Sequence, residues 1–185
     1  MPDEATRPLL NEDDLRHITR WAVLSAERAL PVFEAAAPAD RRPRHAIAAA
    51  RAFAEGAPRT AQLRKAAWSA QAAVREIDDP AAKAAARAAS TAAGAAYTHP
   101  IETPHQINHV LAPAAHAIQA LSLGAGEEAD LMSEVMAEHI EAEVARAISA
   151  ASPELRRIVR KMPGRKPSKG TFHALLYRLD TALRS

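Results

Sequence analysis

Cysteine is absent from the sequence. Its absence excludes disulfides, thiolate zinc sites and cysteine nucleophiles. Glycine is scarce, at six residues, and no alternating run of Val, Ile and Thr reads as a strand. Aromatic residues make up only 4% of the chain although hydrophobic residues make up 48%, and most of the difference is alanine. No window reaches the roughly 18 uninterrupted apolar residues of a membrane-spanning helix. The opening stretch MPDEATRPLL lacks the basic-then-apolar layout of a signal peptide, so a cytoplasmic location is expected. There is no G-x-S-x-G elbow, no P-loop, no G-x-G-x-x-G and no H-E-x-x-H. These gaps weigh against an enzyme and leave only acid–base chemistry, which needs no local motif.

What remains is a chain built for helices. Alanine is the best helix former because it has no side-chain entropy to lose. It also buries little area, so alanine-rich helices must approach closely to gain packing energy. The expected fold is all-α, an alanine-rich multi-helix bundle of about seven or eight helices. The 185 residues suit one domain, with roughly two thirds of the unfolded surface available for burial. Residues 1–150 are expected to form the bundle. Residues 151–185 are expected to form a basic loop and a C-terminal amphipathic helix docked on it.

Capping residues and prolines divide the chain. Asn11 with Glu12, Asp13 and Asp14 opens a first helix, which Pro31 should kink or end. Pro43 starts a second, ending at Gly56. Thr60 caps a third, and Asp79-Pro80 stops it and starts a fourth that is nearly all alanine. Thr98–Thr103 reads as irregular, followed by a fifth helix to Leu123 with Pro113 as a kink. A sixth covers Glu127–Ala150, Ser152-Pro153 caps a seventh, and Ser168 or Thr171 opens a last one. Trp21, Phe33, Phe53, Leu63, Val74 and Ile77 fall on the apolar faces of the first three helices and predict a shared core. Phe172, Leu175, Leu176, Leu179 and Leu183 form a stripe too apolar to remain in water, predicted to dock on the bundle or on a second copy of the chain.

Three features bear on chemistry. His99, His105, His109 and His116 lie within 18 positions, with Glu102 among them. His105 and His109 share one helical face at i, i+4 spacing, as a divalent metal would require. Two imidazoles without a thiolate and with one awkward carboxylate fall short of a closed four-ligand site. The favoured reading is therefore capping, hydrogen bonding or a solvent rim, with no metal and no cofactor. Second, seven acids from Glu127 to Glu143 precede seven bases from Arg156 to Lys169. The basic run lacks interleaved aromatics, which disfavours nucleic acid. It suits a solvated surface, a tail folded onto the acidic helix, or a partner protein of complementary charge. Third, Arg41, Arg42 and Arg44 surround a helix start, where they could bind an anion but more often are solvated or pair with an acid of a neighbouring helix.

The front of the chain resembles the helical putative immunity-protein family of bacterial polymorphic toxin systems. Trp21-Ala22, Ala26-Glu27 and Leu30-Pro31-Val32-Phe33-Glu34 carry the resemblance, followed by Asp40, Arg42-Pro43-Arg44 and the block Ala49 to Gly56. Ala70-Gln71-Ala72-Ala73, Asp79-Pro80-Ala81-Ala82, the alanine run to Ala89, His105 and His109 extend it over roughly residues 14–123. The chain departs from the family in having Phe53 where members tend to have Trp. It also inserts the proline-rich stretch Thr98–Pro104 where members have a tighter His-containing helix.

Taken together, the residues and the resemblance predict a non-enzymatic, immunity- or antitoxin-like protein that binds and occludes a toxin-like partner protein. The alternative is a small-molecule or metal-assisted protein. Its pocket would be lined by Trp21, Trp68, Tyr97, His99, Glu102, His105, His109 and His116. A closed, alanine-packed bundle without a cavity near His105 would favour the first, and a deep cavity with converging polar groups the second.

Overall fold

A computed structural model describes residues 10–99, 105–125 and 134–185. It is all-α. Among the described residues eight helices follow in order: α1 (Glu12–Ala36), α2 (Arg42–Ala54), α3 (Ala61–Glu76), α4 (Pro80–Ala95), α5 (Gln106–Gly124), α6 (Glu134–Ser149), α7 (Pro153–Lys161) and α8 (Thr171–Arg184). No strand occurs among the described residues.

The caps follow the sequence closely. Asn11 and Asp14 form a reciprocal capping box at α1, and the Thr60, Asp79 and Ser152 side chains accept from the first turns of α3, α4 and α7. The last helix opens at Thr171, preceded by Gly170 without a side-chain cap. Pro31 does not end α1, which runs on to Ala36. Pro31 is exposed, so the carbonyl four residues back that loses its partner lies on the solvent side. The stretch 100–104, and with it Glu102, lies outside the described residues, as do 126–133 at the expected start of the sixth helix.

The alanine helix is the centre of the molecule. Along α4, Ala82, Ala86, Ala88, Ala89, Ala92 and Ala93 are fully buried, and the helix packs against α1, α2, α3 and α5. A helix with small side chains on nearly every face can be surrounded at close range, which is how a chain poor in aromatics closes a core. Trp21, Phe33, Phe53, Leu63 and Val74 join one continuous hydrophobic cluster, with Ile77 partly buried against it. Two arginines of α1 finish α2. Arg16 donates to the carbonyls of Phe53 and Ala57, and Arg20 to that of Ala54 at 2.9 Å. Cations at these carbonyls complement the negative end of the helix dipole.

The last helix docks on the bundle. Leu175, Leu176, Leu179 and Leu183 are buried where α8 meets α5, α6 and α7. Phe172 is half-buried and stacks on the His116 ring of α5, with centroids 4.4 Å apart. Asp180, a buried carboxylate, accepts the Arg165 backbone N–H at 2.7 Å and the Arg184 side chain at 2.8 Å. Only Arg165, Lys166 and Lys169 of the basic run lie in the α7–α8 loop. Arg156, Arg157, Arg160 and Lys161 are on α7 itself, and Arg157 reaches Asp14 of α1 at 2.9 Å rather than the acidic helix. The acids of α6 are met from elsewhere: buried Glu143 pairs with Arg28 and Arg146, and Glu141 with Arg178.

Candidate functional site

Helices α3 and α5 flank α4, and over α4 they leave an open trough of about 620 Å³. One face of α3 supplies a wall, with Arg64, Trp68, Gln71 and Arg75 at helical spacing; His109 of α5 stands opposite, and Tyr97 closes one end. The floor is α4, where a Cβ placed on Gly94 would meet nothing within 4 Å. Trp68 is 68% exposed, against 2% for Trp21, the only other tryptophan.

The hydroxyls along the trough are already engaged by backbone. Tyr97 donates to the Thr60 carbonyl at 2.7 Å, Ser90 to Ala67 at 3.0 Å and Thr91 to Arg87 at 2.7 Å. The cations are not engaged by acids. Arg64 lies 4.8 Å over the Tyr97 ring, and neither it nor Arg75 has a carboxylate partner among the described residues. Glu76, beside Arg75 in sequence, is taken by Arg42 at 2.6 Å.

Other arginines meet either carboxylates or backbone carbonyls. The group at the start of α2 is not an anion site: Arg42 pairs with Asp40 and Glu76, and Arg44 with Glu34. The Arg44 hydrogen bond holds Glu34 below the usual carboxylate range, and Arg42 does the same for Asp40 and Glu76. A second hollow of about 350 Å³ beside Leu24 is bordered by Arg28 and Arg146, both paired with Glu143.

Of the residues expected at a ligand site, the trough brings together Trp68, Tyr97 and His109. Trp21 is in the core, where its indole N–H donates to the Ala147 carbonyl of α6 at 2.8 Å. His99 and His105 are exposed, and their charge, after partial desolvation, helps hold His109 below the ordinary histidine value. Among the described residues no three of His, Asp and Glu gather closely enough to hold a metal ion. Arg64, Gln71 and Arg75 are the additions. Their spacing with Trp68 was legible as one face of α3, but exposed arginines on an alanine-rich helix read first as a solvated surface.

His116 belongs to the α8 contact instead. Burial pushes its imidazole down to about 4, and the positive charge of Arg87 on α4 acts in the same direction, against a hydrogen bond that the ring donates to Gln119. Its Nδ1 has no hydrogen-bond partner. The folded protein keeps this ring neutral while the unfolded chain protonates near pH 6.5, so the stability it contributes is lost as pH falls from about 6.5 towards 4. The loss amounts to about 3 kcal/mol. In urea unfolding from pH 7 to pH 4, His116→Phe, which keeps a ring against Phe172, should show a shallower decline than the parent by about that amount. Identical slopes would show that His116 titrates normally.

The fold and the trough define a class: an alanine-packed helical bundle that carries an open aromatic and cationic cleft on one face. Within that class, the chain belongs to the Imm-5 like putative immunity protein family, whose family model matches residues 8–151. Helices α7 and α8 lie beyond the matched residues. No curated protein and no solved structure matches the chain.

Proposed function

We propose that this protein is a non-enzymatic immunity protein that binds a toxin and occludes it through a helical surface. Family membership over residues 8–151 is the observation that carries the reading. The trough supports it, because an exposed Trp beside Tyr and Arg has the composition of a protein-binding hot spot. The cavity near His109 also meets one condition for a small-molecule site. Its polar groups, however, do not converge: the three hydroxyls are committed to backbone carbonyls, and Trp68 stands largely in solvent.

Co-expression with any toxin domain encoded by a neighbouring gene tests the proposal. Cells should survive toxin induction, and toxin and immunity protein should co-elute as one complex. Survival without a complex, with toxin product consumed or modified, would point to an enzyme. Neither survival nor a complex would remove the immunity reading.

A further inference from the structure

Arg64 and Arg75, which line the trough, are exposed and form no ion pair with a carboxylate among the described residues. Arg64 and Arg75 stand eleven residues apart on one face of α3, which at about 1.5 Å rise per residue separates them by roughly 16 Å, or three helical turns. Between them lie Trp68, the open space over Gly94, and no acidic side chain. The trough is thus bounded by one long face of α3 and by His109 and Ala112 of α5, with the small residues Ser90, Thr91 and Gly94 on its floor and an arginine towards each end of the α3 wall. That is the negative image of an amphipathic helix with acids about three turns apart. A helix lying over α4 would pack as α3 and α5 do, with the small floor residues admitting its backbone closely.

We propose that the trough receives an acidic amphipathic helix of the partner protein, with Arg64 and Arg75 pairing its carboxylates and Trp68 covering its apolar side. The inference rests on the reading of this chain as a protein-binding protein and names the surface and the chemistry of the partner. A free dicarboxylate fits less well. The two guanidinium groups are too far apart to chelate a small molecule, and the hydroxyls between them have their donors committed. His109 adds a third positive charge opposite α3 once protonated. Binding should then tighten as pH falls below the ordinary histidine value, with His99 and His105 as the other histidines nearby and Arg64 and Arg75 as the fixed positive charges.

The test uses the intact protein and the fluorescence of Trp68, with Trp68→Phe as the control that removes the signal. The probes are a Glu- and Leu-containing helical peptide of about four turns, its Lys-for-Glu counterpart, and succinate. The acidic peptide should shift the Trp68 emission and bind at least about tenfold more tightly than its basic counterpart. That preference should shrink in high salt, since exposed charges are screened. Arg64→Gln/Arg75→Gln should abolish it while leaving the melting temperature unchanged, because both side chains are exposed. No response to the acidic peptide, or equal binding of the basic one, overturns the proposal. Succinate binding as tightly as the peptide overturns it in favour of a small-anion site. Concentration-dependent dimerisation that the double variant abolishes overturns it in favour of a second copy of this chain. The two readings fail separately. A toxin still neutralised by the double variant removes the trough and leaves immunity, whereas peptide binding without any toxin protection removes immunity and leaves the trough.

Discussion

Replacing Trp21 by alanine should lower the unfolding free energy by about 3–5 kcal/mol, the range for deleting a buried tryptophan. The ring is 2% exposed and belongs to the continuous core, so its removal leaves a cavity beside α4 and α6. The substitution also strands the Ala147 carbonyl, which now accepts the indole N–H at 2.8 Å. Trp21→Phe separates the two effects. It keeps most of the apolar volume and loses the hydrogen bond, and should cost about 1–3 kcal/mol. Urea unfolding reads both. A cost below about 1 kcal/mol for the alanine variant would place Trp21 at the periphery of the fold, and would reopen its assignment to a ligand site.

Removing residues 168–185 should have an effect of similar or greater size. Four leucines leave the junction with α5, α6 and α7, and each contributes about 1.5–3 kcal/mol relative to exposure, before the ordering cost of the helix is offset. The surfaces uncovered include the side of α7 on which α8 packs. A lower melting temperature and aggregation are therefore expected. The docking should depend little on salt: Arg178–Glu141 is the ion pair between α8 and α6, and exposed pairs of this kind contribute about 0–1 kcal/mol. Leu179→Ala gives the single-site version, with a cost of about 2–5 kcal/mol. A truncated protein that melts at the parent temperature and keeps the parent's oligomeric state would make α8 an independent tail.

The caps and the apolar spacing carried the fold. Asn11, Thr60, Asp79 and Ser152 start helices because their side chains satisfy first-turn amides locally, and such signals need no knowledge of the tertiary structure. The stripe on α8 was legible for the same reason of period. Where partners are distant, the sequence was mute. Nothing local says that Arg16 and Arg20 close the end of α2, that Arg157 crosses to Asp14, or that Asp180 is buried between Arg165 and Arg184. Trp21 and Trp68 illustrate the limit for the candidate site. Both are tryptophans on alanine-rich helices and both were natural choices for a pocket wall. Burial in the shared core at one, and the gap between α3 and α5 at the other, separates a core residue from an exposed one. The histidines divide in the same way, with His109 at the trough and His116 under Phe172 on the same helix.

The central alanine helix has a consequence for how such a protein can diversify. Adding even one methylene to a close-packed position tends to cost about 1–3 kcal/mol in strain, and α4 offers such positions on nearly every face. The stretch that looks least informative in composition is thus the one with least freedom to change. Freedom lies on the outward faces of α3 and α5, whose side chains can be exchanged without disturbing the axis they rest on. A lineage built on this frame can revise what it recognises while its interior stands still. Recognition and architecture are then inherited as separate characters of one chain.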